Sequence, residues 1–167
     1  MINKINKLSE SEFTKVFANI FENASWIAEK LYNQKPFTNF EELSLKMINI
    51  FENSSKEKKI EILNAHPELA DKTKISSLTP DSKKEQNRAG LDQCTEDEFN
   101  EFKKLNDIYK KFGFPFIFAV AGKNKNEILN NFRKRVSSEP EVEFKEAIKQ
   151  VKKIASLRLE DLNNKGI

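Results

Sequence analysis

The sequence predicts an all-α, single-domain bundle of roughly seven to nine helices spanning residues 1–167. Three observations predict it. Apolar residues recur at spacings of three and four along most of the chain, the period of a helix with one buried face. Strict alternation, the mark of a half-buried strand, is nearly absent. Helix-start signals recur as well. Thr79 precedes Pro80 as an N-cap before a proline at the first helical position, and Thr95 with Glu98 forms a capping box.

The elements follow in order. Ser9 or Ser11 caps a first helix bearing Phe13, Val16, Phe17, Ile20 and Phe21. A second, with Trp26, Ile27, Leu31 and Tyr32, ends before Pro36. Residues about 39–53 form a third, with Phe40, Leu43, Leu45, Met47, Ile48 and Phe51. Segment 56–64 is helical and stops near His66-Pro67, because a residue before proline avoids the α region. Residues 67–78 read as a loop. A helix opens at Thr79. The next, from Thr95, carries Phe99, Phe102, Leu105, Tyr109 and Phe112, and Gly113 ends it. Phe114–Gly122 is a buried connector. A further helix runs from about Asn126 to Val136, and the last from Pro140 to about Leu162. No internal repeat and no domain-separating linker interrupts this order.

Composition narrows the function classes. A chain of 167 residues is one domain's length, since domains run about 100–200 residues. Lys+Arg 29 against Asp+Glu 26 leaves a charge of only +3, with Lys and Glu interspersed. That argues against the segregated basic stripe of a nucleic-acid binder. One cysteine, Cys94, and one histidine, His66, exclude an internal disulfide, a multi-thiolate zinc site and a His-rich metal site. The opening MINKINKLSESEF lacks the apolar core of a secretory signal. The longest apolar stretch, Phe114 to Ala121, falls far short of the ~20 residues that span a bilayer. Lys165-Gly166-Ile167 matches no lipidation or retention signal. The expectation is a soluble, cytoplasmic protein with no membrane and no nucleic-acid partner. No phosphate-binding glycine loop, nucleophile elbow or metal-ligand cluster is present.

Three places break the pattern of a plain bundle. Phe144, Ile148, Val151, Ala155 and Leu162 share one face of the last helix, and Arg158 falls on that face. A buried guanidinium needs an anion or several acceptors. Arg158 is therefore either half of an internal ion pair or an anion-binding group for a ligand. The helix from Thr79 carries no large apolar side chain over Pro80–Gly90, yet Ser82, Glu85, Gln86 and Ala89 share a face. It is either a solvated surface helix or the wall of a polar pocket. Phe112–Gly122 is irregular but strongly apolar. It either crosses the core or presents backbone groups to a ligand, since buried N–H and C=O groups must find partners. His66 gains interest with a carboxylate such as Glu85 beside it, because a carboxylate orients imidazole and raises its pKa.

The combination is more specific than its parts. His66-Pro67-Glu68-Leu69-Ala70 is followed by Leu78-Thr79-Pro80-Asp81-Ser82, by Glu85-Gln86 and by Ala89-Gly90-Leu91. Tyr109-Lys110-Lys111-Phe112-Gly113-Phe114-Pro115-Phe116-Ile117 comes next, and Lys152-Lys153-Ile154-Ala155-Ser156-Leu157-Arg158-Leu159 closes the series. This order and spacing resembles the OHCU (2-oxo-4-hydroxy-4-carboxy-5-ureidoimidazoline) decarboxylase family, most strongly from about residue 60 to 162.

The resemblance implies an all-helical fold and the last step of urate conversion to allantoin, in which OHCU loses CO₂ to give (S)-allantoin. It implies no metal, no organic cofactor and a homodimer. By the same resemblance His66 is the catalytic histidine, with Glu85 as its assistant. Substrate contacts are Pro67, Ser82, Gln86, the backbone of Phe116, Ile117, Phe118, Ala119 and Val120, and Arg158. One departure stands out: many members carry a basic residue where this chain has Ala121, with Lys123 two residues on. Two readings of other classes compete. One is a non-catalytic helical binding module for ureides or purine breakdown products. The other is a helical scaffold making protein contacts only, which the polar Ser82/Glu85/Gln86 face disfavours, because interface cores are depleted of charge.

Overall fold

The computed structural model describes residues 1–71 and 77–166. Among the described residues there are nine α-helices and no strand, as the periodicity predicts. They are α1 (Ile2–Lys7), α2 (Glu10–Phe17), α3 (Ser25–Tyr32), α4 (Phe40–Glu52), α5 (Lys56–Ala65), α6 (Pro80–Arg88), α7 (Glu96–Tyr109), α8 (Lys125–Arg135) and α9 (Pro140–Lys165). Short 3-10 turns occupy Leu91–Gln93 and Lys110–Phe112. No described helix is long and apolar enough to cross a membrane. The chain divides into two compact units, Met1–Ile62 with Lys152–Ile167, and Leu63–Val151.

The first unit is built on phenylalanine. Phe13, Phe17, Phe21 and Phe51 are fully buried with Ile27, Leu31, Leu43 and Met47. The Phe13 and Phe17 rings lie 4.5 Å apart, and Phe21 and Phe51 4.9 Å apart. Each such side chain contributes about 1.5–3 kcal/mol by leaving water. Ser9 caps α2 in a reciprocal capping box with Glu12, so the first of the two expected caps is the one used. α2 ends at Phe17, earlier than the apolar pattern suggests, and Ile20 and Phe21 are buried from the turn beyond it. Helix α1 was not expected; two isoleucines three residues apart and no side-chain cap leave little signal. In α4 the buried set is Leu43, Met47 and Phe51, a strict step of four, and Leu45 points to solvent at 65% exposure.

The second unit packs α6, α7, α8 and the start of α9. Its apolar centre is Phe102, Leu105, Tyr109, Phe116, Ile128, Phe132 and Ala147. Thr79 caps α6 through the Ser82 N–H, with Pro80 at the start, and Thr95 with Glu98 caps α7 reciprocally, both as the sequence predicts. Asn124 and Glu127 make the same box at α8. The face of α9 is turned by about one position from the expected one. Glu143, Ala147, Gln150, Val151, Ile154, Ala155, Arg158 and Leu159 are buried, and Phe144, Ile148 and Leu162 are only partly covered. The apolar pattern placed the stripe on the largest side chains, and two buried polar residues, Glu143 and Gln150, shift it. Of the loop expected over 67–78, residues 72–76 lie outside the described residues.

One surface carboxylate gives the fold an acid limb. Glu42, in the first turn of α4, bonds Lys46 at 2.7 Å and the Thr38 N–H at 2.7 Å and hydroxyl at 2.6 Å. Lys46 first, then Thr38, hold its carboxyl down from 4.5 to about 2. A depressed folded-state pKa stabilises above the unfolded value and is lost as pH falls. Glu42→Gln is therefore expected to lower stability at neutral pH and to flatten the loss of stability between pH 4.5 and about 2. Urea unfolding across that range checks it, and parallel acid limbs for variant and parent would contradict it.

Candidate functional site

The site begins where α5 ends. Pro67 keeps His66 out of the helical region, so the helix closes at Ala65, with the His66 N–H on the Leu63 carbonyl at 3.2 Å. His66 is buried, and it lines a cavity of about 520 Å³ in the second unit. That volume suits a small molecule, for which pockets run about 300–1,000 Å³. One side of the cavity is apolar: Pro67, Leu78, Phe114 and Pro115. Glu68 and Lys110 bring charge to its lining. The Lys110 ammonium bonds Asp107 at 2.8 Å and is held above the usual lysine value by Asp107 first, then by Glu68. It therefore stays cationic at neutral pH.

Helix α6 is no solvated surface helix. Ser82, Gln86 and Ala89 are buried on one face, and Glu85 is half-buried beside them. Gln86, only 6% exposed, spends its amide on the chain just after His66. Its Oε1 accepts from the Ala70 N–H at 3.1 Å, and its Nε2 donates to the Glu68 carbonyl at 3.5 Å. Ala70 sits in the left-handed region at φ 55°, which a side-chain Cβ disfavours. Gln86 therefore braces the His66 turn. Of the residues the sequence singles out, His66 and Pro67 line the cavity together; Ser82, Glu85 and Gln86 are not among its lining residues.

The connector from Phe116 to Val120 is held as tightly. Phe116, Ile117, Ala119 and Val120 are buried and Phe118 is half-buried. Arg135 Nη1 donates to the Ile117 carbonyl at 2.6 Å, and the Ala119 N–H donates to Gln150 Oε1 at 2.9 Å. With the Val120 carbonyl accepting from the Lys123 N–H at 3.0 Å, three groups of the expected backbone strip are taken up by the protein itself. The Phe116 ring stacks on Phe132 at 3.9 Å, with the Arg135 guanidinium 4.5 Å from the Phe116 centroid. One Glu143 oxygen, Oε1, receives Arg135 Nε at 2.8 Å and also the Tyr109 hydroxyl. Burial first, then the bond to Glu143, pushes the Tyr109 phenol far above its usual value, so it stays protonated. Nothing in the apolar periodicity marks Arg135, Glu143 or Gln150 as buried. The available signal was a pair of opposite charges eight residues apart, Arg135 in the last turn of α8 and Glu143 in the first turn of α9.

Arg158 belongs to the first unit. It is 8% exposed, and its Nη1 donates to Glu22 Oε2 at 2.9 Å and to the Asn19 carbonyl at 3.0 Å. Glu22 is buried at 2%. The internal ion pair weighed from the sequence is therefore present. Ala121 is exposed, and Lys123 is half-buried. Among the described residues no group of three or more His, Cys, Asp or Glu is placed to hold a metal ion.

Comparison with known proteins identifies the family of the chain. The family profile for OHCU decarboxylase matches residues 6–160. The chain belongs to the OHCU decarboxylase family. The 2-oxo-4-hydroxy-4-carboxy-5-ureidoimidazoline decarboxylase of Haloferax volcanii is 35% identical over 159 residues, covering 95% of this chain and 93% of that protein. A uric acid degradation bifunctional protein of a Bacillus species (strain TB-90) is 39% identical over 166 residues. The match covers 99% of this chain but spans only 32% of that longer protein. A crystal structure of (S)-allantoin synthase superposes with a TM-score of 0.78 at 30% identity, covering 96% of this chain and 53% of that one. A crystal structure of an OHCU decarboxylase solved in the presence of (S)-allantoin shares the fold, with a TM-score of 0.68 at 22% identity. In this family member the HPELA and FGFPF segments meet at one cavity through His66, Pro67, Phe114 and Pro115.

The Arg135–Glu143 pair makes a strong stability prediction. Removing one partner of a buried pair leaves an uncompensated charge and costs about 3–5 kcal/mol. Arg135→Met is expected to lose stability of that order in urea unfolding. Arg135→Met combined with Glu143→Leu should recover part of it. A single variant within about 0.5 kcal/mol of the parent, the range of ordinary surface substitutions, would show that the pair does not hold the unit together.

Proposed function

We propose that this chain is a carboxy-lyase that converts OHCU to (S)-allantoin and CO₂ without a cofactor, with His66 as the proton donor and acceptor. The observation that carries the reading is the burial of the single imidazole of the chain in a cavity of about 520 Å³, beside Pro67 and the FGFP segment that mark the family. The OHCU decarboxylase named for Haloferax volcanii, similar over nearly its whole length, supports the same reaction.

The reaction suits such a site. Breaking the bond to the carboxylate releases CO₂ and leaves an electron pair, which spreads into the imidazoline ring and is then quenched by a proton. The ring accepts the charge, so the protein has to place a proton and exclude water. His66 exchanges that proton with the substrate, assisted by Glu85, an imidazole being able both to give and to take one. Phe114 and Pro115 shield the reacting atoms. Pro67 shapes the pocket, and Gln86 serves the reaction through the turn it braces after His66. Arg158, paired with Glu22 in the first unit, is given no contact with substrate in this reading. Tight ground-state binding of the departing carboxylate would raise the barrier, so a cation serves better on another substrate group.

The wider reading follows from the same match. The family profile over 6–160 runs through both compact units, which supports treating residues 1–167 as one functional domain. We further propose a cytoplasmic homodimer that takes only a small-molecule substrate and engages neither membrane nor nucleic acid.

Urate oxidised and hydrolysed in situ supplies OHCU for the test. Added protein is expected to generate a growing circular dichroism signal from (S)-allantoin, because spontaneous decay is racemic. His66→Ala should retain its helix content and reduce the signal to the uncatalysed background. A parent protein that binds ureides yet produces no optical signal would instead make the chain a binding module.

A further inference from the structure

A buried amide outside every predicted site reaches the turn that follows His66. Asn106, on α7, is 6% exposed and lies between the core residues Phe102, Leu105 and Tyr109. Its Nδ2 donates to the Leu69 carbonyl at 3.1 Å. With Gln86 on the Glu68 carbonyl and the Ala70 N–H, three consecutive residues after His66-Pro67 are tied by side chains from two different helices. The turn they hold contains Ala70 at φ 55°, a conformation that alanine does not keep without outside restraint. Asn106 Oδ1 is buried with no hydrogen-bond partner. A core position that carries an amide with one end unsatisfied bears a desolvation cost that an apolar residue would avoid. The bond to Leu69 is what the amide supplies in return. One helical turn beyond Asn106, Lys110 lines the same cavity as His66.

We propose that Asn106 is a positioning residue for His66. Its amide sets the path of residues 67–70, and with Pro67 restricting the chain at the other end, that path aims the imidazole into the cavity. The proposal rests on the reading of His66 as the proton-transfer group. It assigns Asn106 no contact with substrate.

The test uses the fact that His66 is the only histidine. Its Cε1–H resonance is then a histidine signal assigned without ambiguity, and it reports the environment of the imidazole. In folded Asn106→Ala that signal should shift or broaden. The kcat for OHCU should fall roughly tenfold to a hundredfold, with KM within about twofold, as for a displaced catalytic group. Leu31→Ala, in the core of the first unit, controls for lost stability and should leave both the signal and kcat near parent values at a temperature where it is folded. Should Asn106→Ala fail to fold, Asn106→Asp keeps the volume, removes the donor and is read in the same way. A folded variant whose His66 signal coincides with the parent's, or whose kcat is unchanged, overturns the proposal. So does a kcat loss matched by Leu31→Ala. A parent protein without turnover would sink the decarboxylase reading instead, and the His66 signal of the variants would still decide the role of Asn106.

Discussion

Each compact unit is organised around one buried guanidinium–carboxylate pair, and α9 supplies a partner to both. In the second unit Glu143 of α9 receives Arg135 of α8 and Tyr109 of α7 on a single oxygen. In the first unit Arg158 of α9 meets Glu22, in the chain between α2 and α3. Charges this deep survive only when each has its counterpart and its further acceptors in place. Arg135 meets the requirement with the Ile117 carbonyl, and Arg158 with the Asn19 carbonyl. The pairs therefore fix more than two side chains. They dictate where irregular backbone must run, because a carbonyl has to arrive where the guanidinium still lacks an acceptor.

The same economy shapes the surroundings of the cavity. The HPELA turn and the FGFPF connector are irregular and substantially buried, so their backbone groups cannot turn to water. Side-chain amides take the place of a ladder: Gln86 and Asn106 for the turn, Gln150 for the connector. Each comes from a different regular helix, so the rigidity of α6, α7 and α9 is passed to segments with none of their own. Reacting groups on short loops need this support, since small displacements cost large factors in rate. The aromatic wall adds to it, with Phe116 held between the Phe132 ring and the Arg135 guanidinium.

This arrangement recasts two of the residues selected from sequence. Gln86 was expected among the substrate contacts, and both ends of its amide are engaged with the turn after His66. Arg158 was weighed as an anion site or an ion pair, and the pair with Glu22 is formed. Neither finding removes a residue from the chemistry of the family. Both show that a polar residue at a matched position can act by holding the protein as well as by touching a ligand.

Much of the molecule was legible without coordinates. Helical periodicity, the caps at Ser9, Thr79 and Thr95, and the stop at His66-Pro67 are local physics, decided within a turn or two of chain. His66 and Pro67 could be singled out because the chain has one histidine and because the proline removes it from the helix. Other features were beyond local reading. The face of α9 depends on Glu143 and Gln150 being buried, and a polar residue is buried only where a distant partner waits: Arg135 eight residues away, Ala119 thirty-one away. Asn106 and Leu69 are thirty-seven residues apart and carry no shared signal in their own neighbourhoods. The sequence by itself determined which segments are helices, where they stop and which family the chain resembles, because those depend on nearby residues and their order. Only the tertiary structure decided which polar side chains are buried and what they hold, because the cost of burying a polar group is settled by the partner that long-range packing delivers.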